Sequence, residues 1–446
     1  MENRPKNLFI YLTAIILSLI SCTAKTDENV GNTTITKWQG DKRSAVSLTF
    51  DDGIIHQFTV ARPILNKLGL PGTFFIITGK IAGSAKGRFI GRPQEEIIKE
   101  TATIKTDADN YFERASLIAF TGTEGAVAYH SNSGALFESG KVDEAYGLID
   151  EGYEKIRNGT IEDEDAIIYH SNPTDTTTWK DYKRYAEEGH EIASHTVTHA
   201  RLAVLDEANL LYELEQSKKD IIKFLGKEST FSAECPYGTE NGRVMEYAHK
   251  MYPALRNRMP EPYLAELNRG SDSLPADVAK EYIQWQRGAL TDDSMAKMKS
   301  WIDTSLESDN VWLVLVFHGV DGIGWEPKTG AQLEEYFGYM KDRQEDLWIA
   351  TFADVTKYIR ERKNTEVRSK EENDVIKVTW STELDPQVYN VPLTAKTYVP
   401  KPWKTAFLDK KSAENNRLGL KIQKDSLGSY VVYDVLPDNN QLLITE

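Results

Sequence analysis

The strongest constraint on the fold is a short apolar segment that ends in two acids. Residues 45–50 (AVSLTF) are apolar and β-rich, which is typical of a buried strand. Asp51 and Asp52 follow directly, and Gly53 then frees the backbone to turn. Adjacent carboxylates at a strand end repel each other, and each favours its neutral form. A cation bound to one of them would remove that cost and leave the other free to act as a base. The alternative is a helix N-cap beside a surface acid.

Helices and strands alternate after this segment. A helix is predicted over 58–68, ended by Gly69, and an apolar strand over 72–78. This alternation predicts a parallel sheet with crossover helices. Residues 82–180 depart from it and are predicted to form a helical insertion, because 142–156 carry apolar residues at helical spacing. The alternation resumes with strand-like segments at 191–194, 230–236, 282–285, 312–317 and 347–351 and a closing helix at 352–362.

Three histidines follow predicted strands. The segment SHTVTH contains His195 and His199, which project to the same side if this segment is helical. The segment LVFH places His318 at the end of an apolar strand. One carboxylate and two imidazoles suit a hydrolytic metal centre that keeps a position open for water. Zinc fits this ligand set, with cobalt or nickel as alternatives. Polar surface histidines, or a core histidine at position 318, are the competing interpretations.

The motifs TFDDG, SHTVTH and LVFH, in this order, resemble those of the polysaccharide deacetylase family, also called the NodB-homology family or carbohydrate esterase family four. The resemblance covers most of residues 42–360. It implies an α/β fold, a distorted parallel (β/α) barrel within residues 37–363. It also implies one divalent metal held by Asp52, His195 and His199, with Asp51 as the catalytic base and His318 as the catalytic acid.

A further segment, ECPYG at 234–238, resembles the arginine-containing Pro-Tyr-Gly motif of the same family. The resemblance implies that the backbone N–H of Tyr237 contributes to the oxyanion hole. Glu234, however, occupies the position of the arginine that normally orients the base. Arg287 is our hypothesis for a substitute from a neighbouring strand. Cys235 is interpreted as a variable position inside the motif and not as a nucleophile.

The amino-terminal region has the features of a targeting segment. Arg4 and Lys6 precede an apolar run at 8–20 that is too short to span a membrane. The segment LISC at 19–22 resembles a bacterial lipobox. We therefore expect residues 1–22 to contain a signal peptide and lipobox, with lipid attached to Cys22, and residues 23–36 to form a tether. This predicts a lipid-anchored protein of the bacterial cell envelope, on the outer membrane or the cell surface.

The carboxyl-terminal region differs in character from the rest. Residues 364–374 are almost wholly polar and are predicted to be a linker. Residues 375–446 contain short strand-like segments separated by turns, which predicts a separately folded β-sandwich. Its aromatic residues are interpreted as core, with a sugar-stacking platform as the alternative; they are Trp380, Tyr398 and Trp403.

Composition limits the partners. The net charge is −15 and the pI about 5.2, which argues against nucleic acid. With the family resemblance, the sequence predicts a metal-dependent hydrolase that removes N- or O-linked acetyl groups from a polysaccharide. The alternatives are an esterase of the O-acetyl xylan type and a non-catalytic, glycan-binding surface lipoprotein.

Overall fold

The computed structural model describes residues 29–121, 124–161, 177–410, 417–436 and 441–446. The predicted signal peptide, Cys22 and the first part of the tether lie outside this part of the chain. None of the described helices is long and apolar enough to cross a membrane.

Strands and helices alternate through the first three quarters of the chain. The strands are β1 (Thr33–Ile35), β2 (Ser44–Phe50), β3 (Thr73–Ile76), β4 (Glu191–Ser194), β5 (Ser232–Ala233), β6 (Ala254–Leu255), β7 (Leu264–Leu267), β8 (Tyr282–Gly288), β9 (Val311–Phe317), β10 (Leu347–Ile349), β11 (Thr365–Glu372), β12 (Val375–Thr382), β13 (Leu393–Val399), β14 (Ala406–Lys410), β15 (Arg417–Leu420), β16 (Gln423–Asp425), β17 (Gly428–Val435) and β18 (Gln441–Thr445). The α-helices are α1 (Arg62–Leu68), α2 (Gln94–Glu100), α3 (Tyr111–Ala119), α4 (Glu124–Glu138), α5 (Val142–Asn158), α6 (Trp179–Glu187), α7 (Glu207–Phe224), α8 (Gly242–Ala248), α9 (Met295–Ser305), α10 (Gly330–Lys341) and α11 (Phe352–Asn364).

A parallel sheet forms the centre of the molecule. Its strand order is β6-β5-β4-β3-β2-β9-β8-β7, and β10 pairs with the first half of β2. Strands β2 and β9 are buried along their whole length, as expected for parallel strands covered on both faces. Their register pairs Phe50 with Phe317, so the residues that follow, Asp51 and His318, lie side by side. The predicted α/β class with a distorted parallel barrel is confirmed.

Helices α2 to α5 lie between β3 and β4, within the range predicted as a helical insertion. They pack around a core of their own, which includes Tyr111, Ile149 and Tyr153. Helix α5 ends at Gly159, whose left-handed φ of 66° stops the helix as glycine commonly does.

The carboxyl-terminal region contains two antiparallel sheets, β1-β13-β17-β16 and β11-β12-β18-β14-β15. Trp380 and Trp403 belong to the core of this region and are 3% and 6% exposed. Tyr398 is 9% exposed. The core interpretation of these three aromatic residues is therefore correct, and the sugar-stacking alternative is wrong.

The predicted linker at 364–374 is wrong. Strand β11 begins immediately after α11 and pairs with β12 along its whole length. It lies at the edge of its sheet, where charged side chains protect an exposed strand from pairing with another chain. The polar composition of an edge strand resembles that of a linker, so composition alone could not separate the two.

The carboxyl-terminal sheets share buried contacts with the barrel. Strand β1, from the segment predicted as a tether, pairs with β13. Tyr358 of α11 donates a hydrogen bond to the carbonyl of Thr36 at 3.0 Å and packs against Val391 and Leu393. Trp348 lies 5.0 Å from the Tyr358 ring. The expectation of a separately folded β-sandwich is therefore replaced by one of two parts that stabilise each other.

We expect truncation after Asn364 to destabilise the barrel. The truncation removes the partner of β1 and uncovers Tyr358, and each of the lost Val391 and Leu393 side chains contributes ~1.5–3 kcal/mol through burial. Thermal denaturation of the truncated protein should show a lower Tm or aggregation. Leu393→Ala should lower the free energy of unfolding by ~2–5 kcal/mol. The control Leu427→Ala, at an exposed turn, should change it by less than ~0.5 kcal/mol. A truncated protein with the parent's Tm would contradict this coupling.

Candidate active site

Side chains of the candidate site follow the carboxyl ends of strands in the central parallel sheet. Asp51 follows β2, His195 follows β4, Glu234 follows β5, Arg256 follows β6 and His318 follows β9. Because parallel strands all end at one edge of a sheet, this edge collects the five side chains. All of them are buried or nearly so.

Asp52, His195 and His199 form a cluster whose potential ligand atoms lie within 4.8 Å of one another. The Oδ1 atom of Asp52 lies 3.2 Å from Nε2 of His199 and 3.6 Å from Nε2 of His195. This oxygen is buried and has no hydrogen-bond partner. A buried carboxylate oxygen without a donor is costly, and a cation would satisfy it. Carboxylate oxygen and imidazole nitrogen are suitable ligands for a divalent ion, so these residues fit one.

The histidines are oriented as ligands would be. Nδ1 of His195 lies 2.9 Å from the carbonyl oxygen of Glu234, which can only accept, so Nδ1 donates and Nε2 faces Asp52. Burial lowers the pKa of His195, but the nearby carboxylates of Asp52 and Asp51 together outweigh burial and raise it. The space between His195 and Asp52 therefore favours a positive charge. Burial lowers the pKa of His199 to about 3, which keeps its imidazole neutral.

A loop, and not a helix, brings His199 to Asp52. Thr196 and His199 have left-handed φ angles of 66° and 69°, so the chain turns back on itself. The buried carboxylate of Glu213 on α7 holds this turn, accepting hydrogen bonds from the backbone N–H groups of Val197 and Thr198, each at 2.9 Å. The two histidines therefore meet through a tight turn, and the helical spacing proposed from the sequence is not the cause.

Helix α4 supports the same loop from the outside. Nε2 of His130 accepts a hydrogen bond from the backbone of Arg201 at 2.9 Å, and its Nδ1 lies 2.8 Å from the carbonyl of Ala115. The Arg201 guanidinium forms an ion pair with Glu138 at 2.6 Å and lies 4.4 Å from the centre of the Tyr237 ring. The helical segment thus contributes to the position of Tyr237.

Asp51 is held by a fully buried arginine. Arg256 donates to both carboxylate oxygens of Asp51, each at 2.7 Å, and to Oγ1 of Thr49 at 2.9 Å. On the other side of Asp51, Nε2 of His318 lies 3.3 Å from its Oδ2. Burial raises the pKa of Asp51, but the charge of Arg256, followed by that of His318, outweighs burial and holds the pKa well below its usual range. Asp51 is therefore an ionised carboxylate with a fixed orientation.

The two adjacent acids contact different partners because the backbone bends between them. Asp52 has a left-handed φ of 77°, and Gly53 follows with 67°. Gln57 fixes the base of this bend, donating from Nε2 to the carbonyl oxygens of Asp51 at 2.6 Å and His318 at 2.8 Å. No sequence pattern marked Gln57, which is one polar residue directly before a predicted helix.

Arg287 is not the substitute for the missing arginine, and this prediction is wrong. It packs over the Trp285 ring at 4.6 Å and donates to the carbonyl of Ser271. Arg256 contacts Asp51 instead, and it also forms an ion pair with Glu234 at 2.9 Å. The charged side chains at the ends of β5 and β6 thus form a pair beneath Asp51. Arg256 was missed because β6 is only two residues long, too short to be recognised from its sequence.

Tyr237 lies on the rim of the site. It belongs to the turn Pro236–Gly238, has a left-handed φ of 63°, and its ring lies 4.8 Å from that of His199. Cys235 beside it is buried, and burial raises the pKa of its thiol well above the usual value. An inert structural thiol agrees with the interpretation of Cys235 as a motif position.

Comparison with known proteins finds similarity to one family. The family model for polysaccharide deacetylase matches residues 39–103 and 158–252. These two parts of the chain are therefore similar to the polysaccharide deacetylase family. A gellan lyase from Bacillus sp. is 25% identical over 236 residues, which are 50% of this chain but only 9% of that protein.

The solved structures to which this chain is similar are distant in sequence. A Mycobacterium smegmatis protein assigned as a polysaccharide deacetylase is 15% identical, with a TM-score of 0.37 over 75% of this chain and 96% of its own. Bacillus subtilis PdaA, a family 4 carbohydrate esterase, is 12% identical, with a TM-score of 0.32 over 74% of this chain and 83% of its own.

We predict that Arg256→Ala lowers the free energy of unfolding by ~3–5 kcal/mol, because it leaves Asp51 and Glu234 buried without their shared cation. The matched control is Arg287→Ala, which should cost no more than ~1 kcal/mol, since it removes an arginine that contacts neither acid. Urea denaturation of both variants measures the difference. Equal losses in the two variants would contradict the assignment of Arg256.

Proposed function

We propose that the protein is a metal-dependent hydrolase that removes acetyl groups from a polysaccharide. The observation that carries this proposal is that the two adjacent carboxylates contact different partners. Asp52 faces His195 and His199, while Asp51 is held by Arg256 and faces His318. The family of the domain supports the same reaction class.

We assign Asp52, His195 and His199 as ligands of one divalent metal. Zinc is our choice, with cobalt and nickel as alternatives that the same ligand types accept. When bound, such an ion lowers the pKa of a coordinated water and polarises a carbonyl oxygen.

Asp51 is the proposed general base. Both of its oxygens accept hydrogen bonds from Arg256, which fixes the carboxylate and keeps it from rotating toward the metal site. Deprotonation of the attacking water requires a base that is ionised and beside the metal without binding it. Asp51 meets each of these conditions.

His318 is the proposed general acid for the leaving amine or alkoxide. It follows β9, on the opposite side of Asp51 from the metal-ligand histidine that follows β4. Burial lowers its pKa, although the charges of Asp51 and Asp52 oppose this. With Nε2 3.3 Å from Asp51, it lies within short reach of the proton that Asp51 accepts. We also assign stabilisation of the carbonyl oxygen to the backbone N–H of Tyr237.

Acetate release from acetylated glycans should be abolished by a chelator and restored by adding Zn²⁺, Co²⁺ or Ni²⁺. The panel should contain N-acetylated and O-acetylated substrates, including acetylated xylan, because the same residues serve an amide or an ester. Metal-loaded protein that binds these glycans and releases no acetate would instead indicate a non-catalytic glycan-binding protein.

A second experiment should distinguish the roles of the two aspartates. Asp52→Ala should lose metal, because two imidazoles alone leave the ion under-coordinated. Asp51→Asn should keep the metal and lose ~10²–10⁴-fold in kcat, because an amide cannot accept the proton. Metal content and turnover should be measured on the same samples. Metal-free Asp51→Asn together with metal-replete Asp52→Ala would reverse the assignment.

We further propose that the mature protein is anchored to the cell envelope through lipid on Cys22, on the basis of the LISC segment. Cys22→Ala should lose its lipid and move from the membrane fraction to the soluble fraction of the cell. A variant that fractionates as the parent does would contradict the anchor.

A further inference from the structure

Aromatic side chains in the described part of the chain are mostly buried or half-buried, with two exceptions. Tyr237 is 42% exposed and Trp325 is 41% exposed. Both contact histidines of the proposed site. The Tyr237 ring lies 4.8 Å from that of His199, and the Trp325 ring lies 4.7 Å from that of His318 in an edge-to-face arrangement. Exposed apolar surface beside a catalytic centre marks a ligand-binding surface.

The two rings flank the acid pair. His199 and Tyr237 come from the loops after β4 and β5, while His318 and Trp325 come from the loop after β9. In the sheet, β4 and β5 lie on one side of β2 and β9 lies on the other. A glycan chain laid across this edge of the sheet would therefore meet one ring before the acid pair and one after it.

The loop that carries Trp325 is fixed by its own hydrogen bonds. The backbone N–H of Gly319 donates to the carbonyl of Trp325 at 2.7 Å. The buried Lys328 donates from Nζ to the carbonyls of Thr291 and Asp293 at 3.1 and 2.9 Å. A loop tied in this way fixes the backbone that carries the ring, so little ordering of the loop is needed when a ligand binds.

Close packing ties the same loop to the acid motif. Gly324 has a left-handed φ of 93°, and a Cβ atom there would lie 2.2 Å from a side-chain carbon of Ile54. Ile54 follows Gly53 directly, so the position of Trp325 is set against the turn that carries Asp51 and Asp52. The loop that carries the exposed Trp325 ring is therefore packed against the turn of the two acids.

We propose that Trp325 is a substrate-binding residue that stacks on a sugar next to the acetylated one, so that the protein acts within a glycan chain. Sugar rings present apolar C–H faces that match the face of an indole ring, and their hydroxyl groups remain in water. The occupant is a neutral glycan of several sugars. This proposal rests on the proposed function, because it takes the acetylated sugar to lie at Asp51 and Asp52.

The test compares affinity for glycan chains of increasing length. Binding is measured by calorimetry in the metal-loaded Asp51→Asn background, with N-acetylglucosamine oligomers and acetylated xylo-oligosaccharides from the monosaccharide to the pentasaccharide. Affinity should increase with length, and adding Trp325→Ala should weaken pentasaccharide binding about tenfold while affecting the monosaccharide by less than about twofold. Trp325→Tyr should restore most of the affinity. Leu427→Ala, which alters an exposed apolar residue of the carboxyl-terminal sheets, is the matched control and should have no effect.

Two results would overturn the proposal that Trp325 forms a sugar-binding subsite. One is pentasaccharide affinity unchanged by Trp325→Ala, or no binding of either series. The other is equal weakening for every chain length, which would mean that Trp325 acts only by packing on His318. Failure of the parent to release acetate would count against the proposed deacetylation alone, because the binding measurement does not depend on turnover.

Discussion

The candidate site depends on one buried guanidinium. Arg256 is fully buried, donates hydrogen bonds to Asp51 and Thr49 at 2.7–2.9 Å, and forms an ion pair with Glu234 at 2.9 Å. Without it, the carboxylates of Asp51 and Glu234 would be left in the interior without the cation they share, which is a costly defect in a folded protein. With it, Asp51 stays ionised and fixed in orientation. The same interaction thus stabilises the barrel interior and keeps Asp51 in the ionised form that the proposed proton transfer requires.

The curvature of the sheet makes this interaction geometrically possible. In the strand order β6 is four strands from β2, yet Arg256 reaches Asp51 because the sheet curls around the space between them. Gln286 of β8 donates to the carbonyl of Arg256 at 2.9 Å, although β6 and β8 are not neighbours in the sheet. Hydrogen bonds across the interior therefore hold the ends of distant strands at one place.

The residues that could be predicted from the sequence are those that follow recognisable strands. Asp51 and His318 end long apolar strands, and His195 follows one marked by a distinctive histidine motif. The residues that could not be predicted depend on tertiary structure. Arg256 follows a strand of two residues, and the turn that positions His199 is set by Glu213 from a separate helix. A local sequence pattern contains neither kind of information.

The positions of the neighbouring charges explain why a glutamate is tolerated at position 234. Glu234 and Glu240 both accept from Nδ2 of Asn257, at 2.7 and 2.9 Å. Burial and the neighbouring Glu234 raise the pKa of Glu240 well above its usual value, so it is the member of this pair that carries a proton most readily. The guanidinium of Arg256 then lies between Asp51 and Glu234 and contacts neither oxygen of Asp52. The negative charge of Asp52 is left to whatever cation lies between it and the two histidines. A carboxylate at position 234 is therefore compatible with the proposed site, because it pairs with Arg256 beside Asp51 and leaves Asp52 free of that arginine.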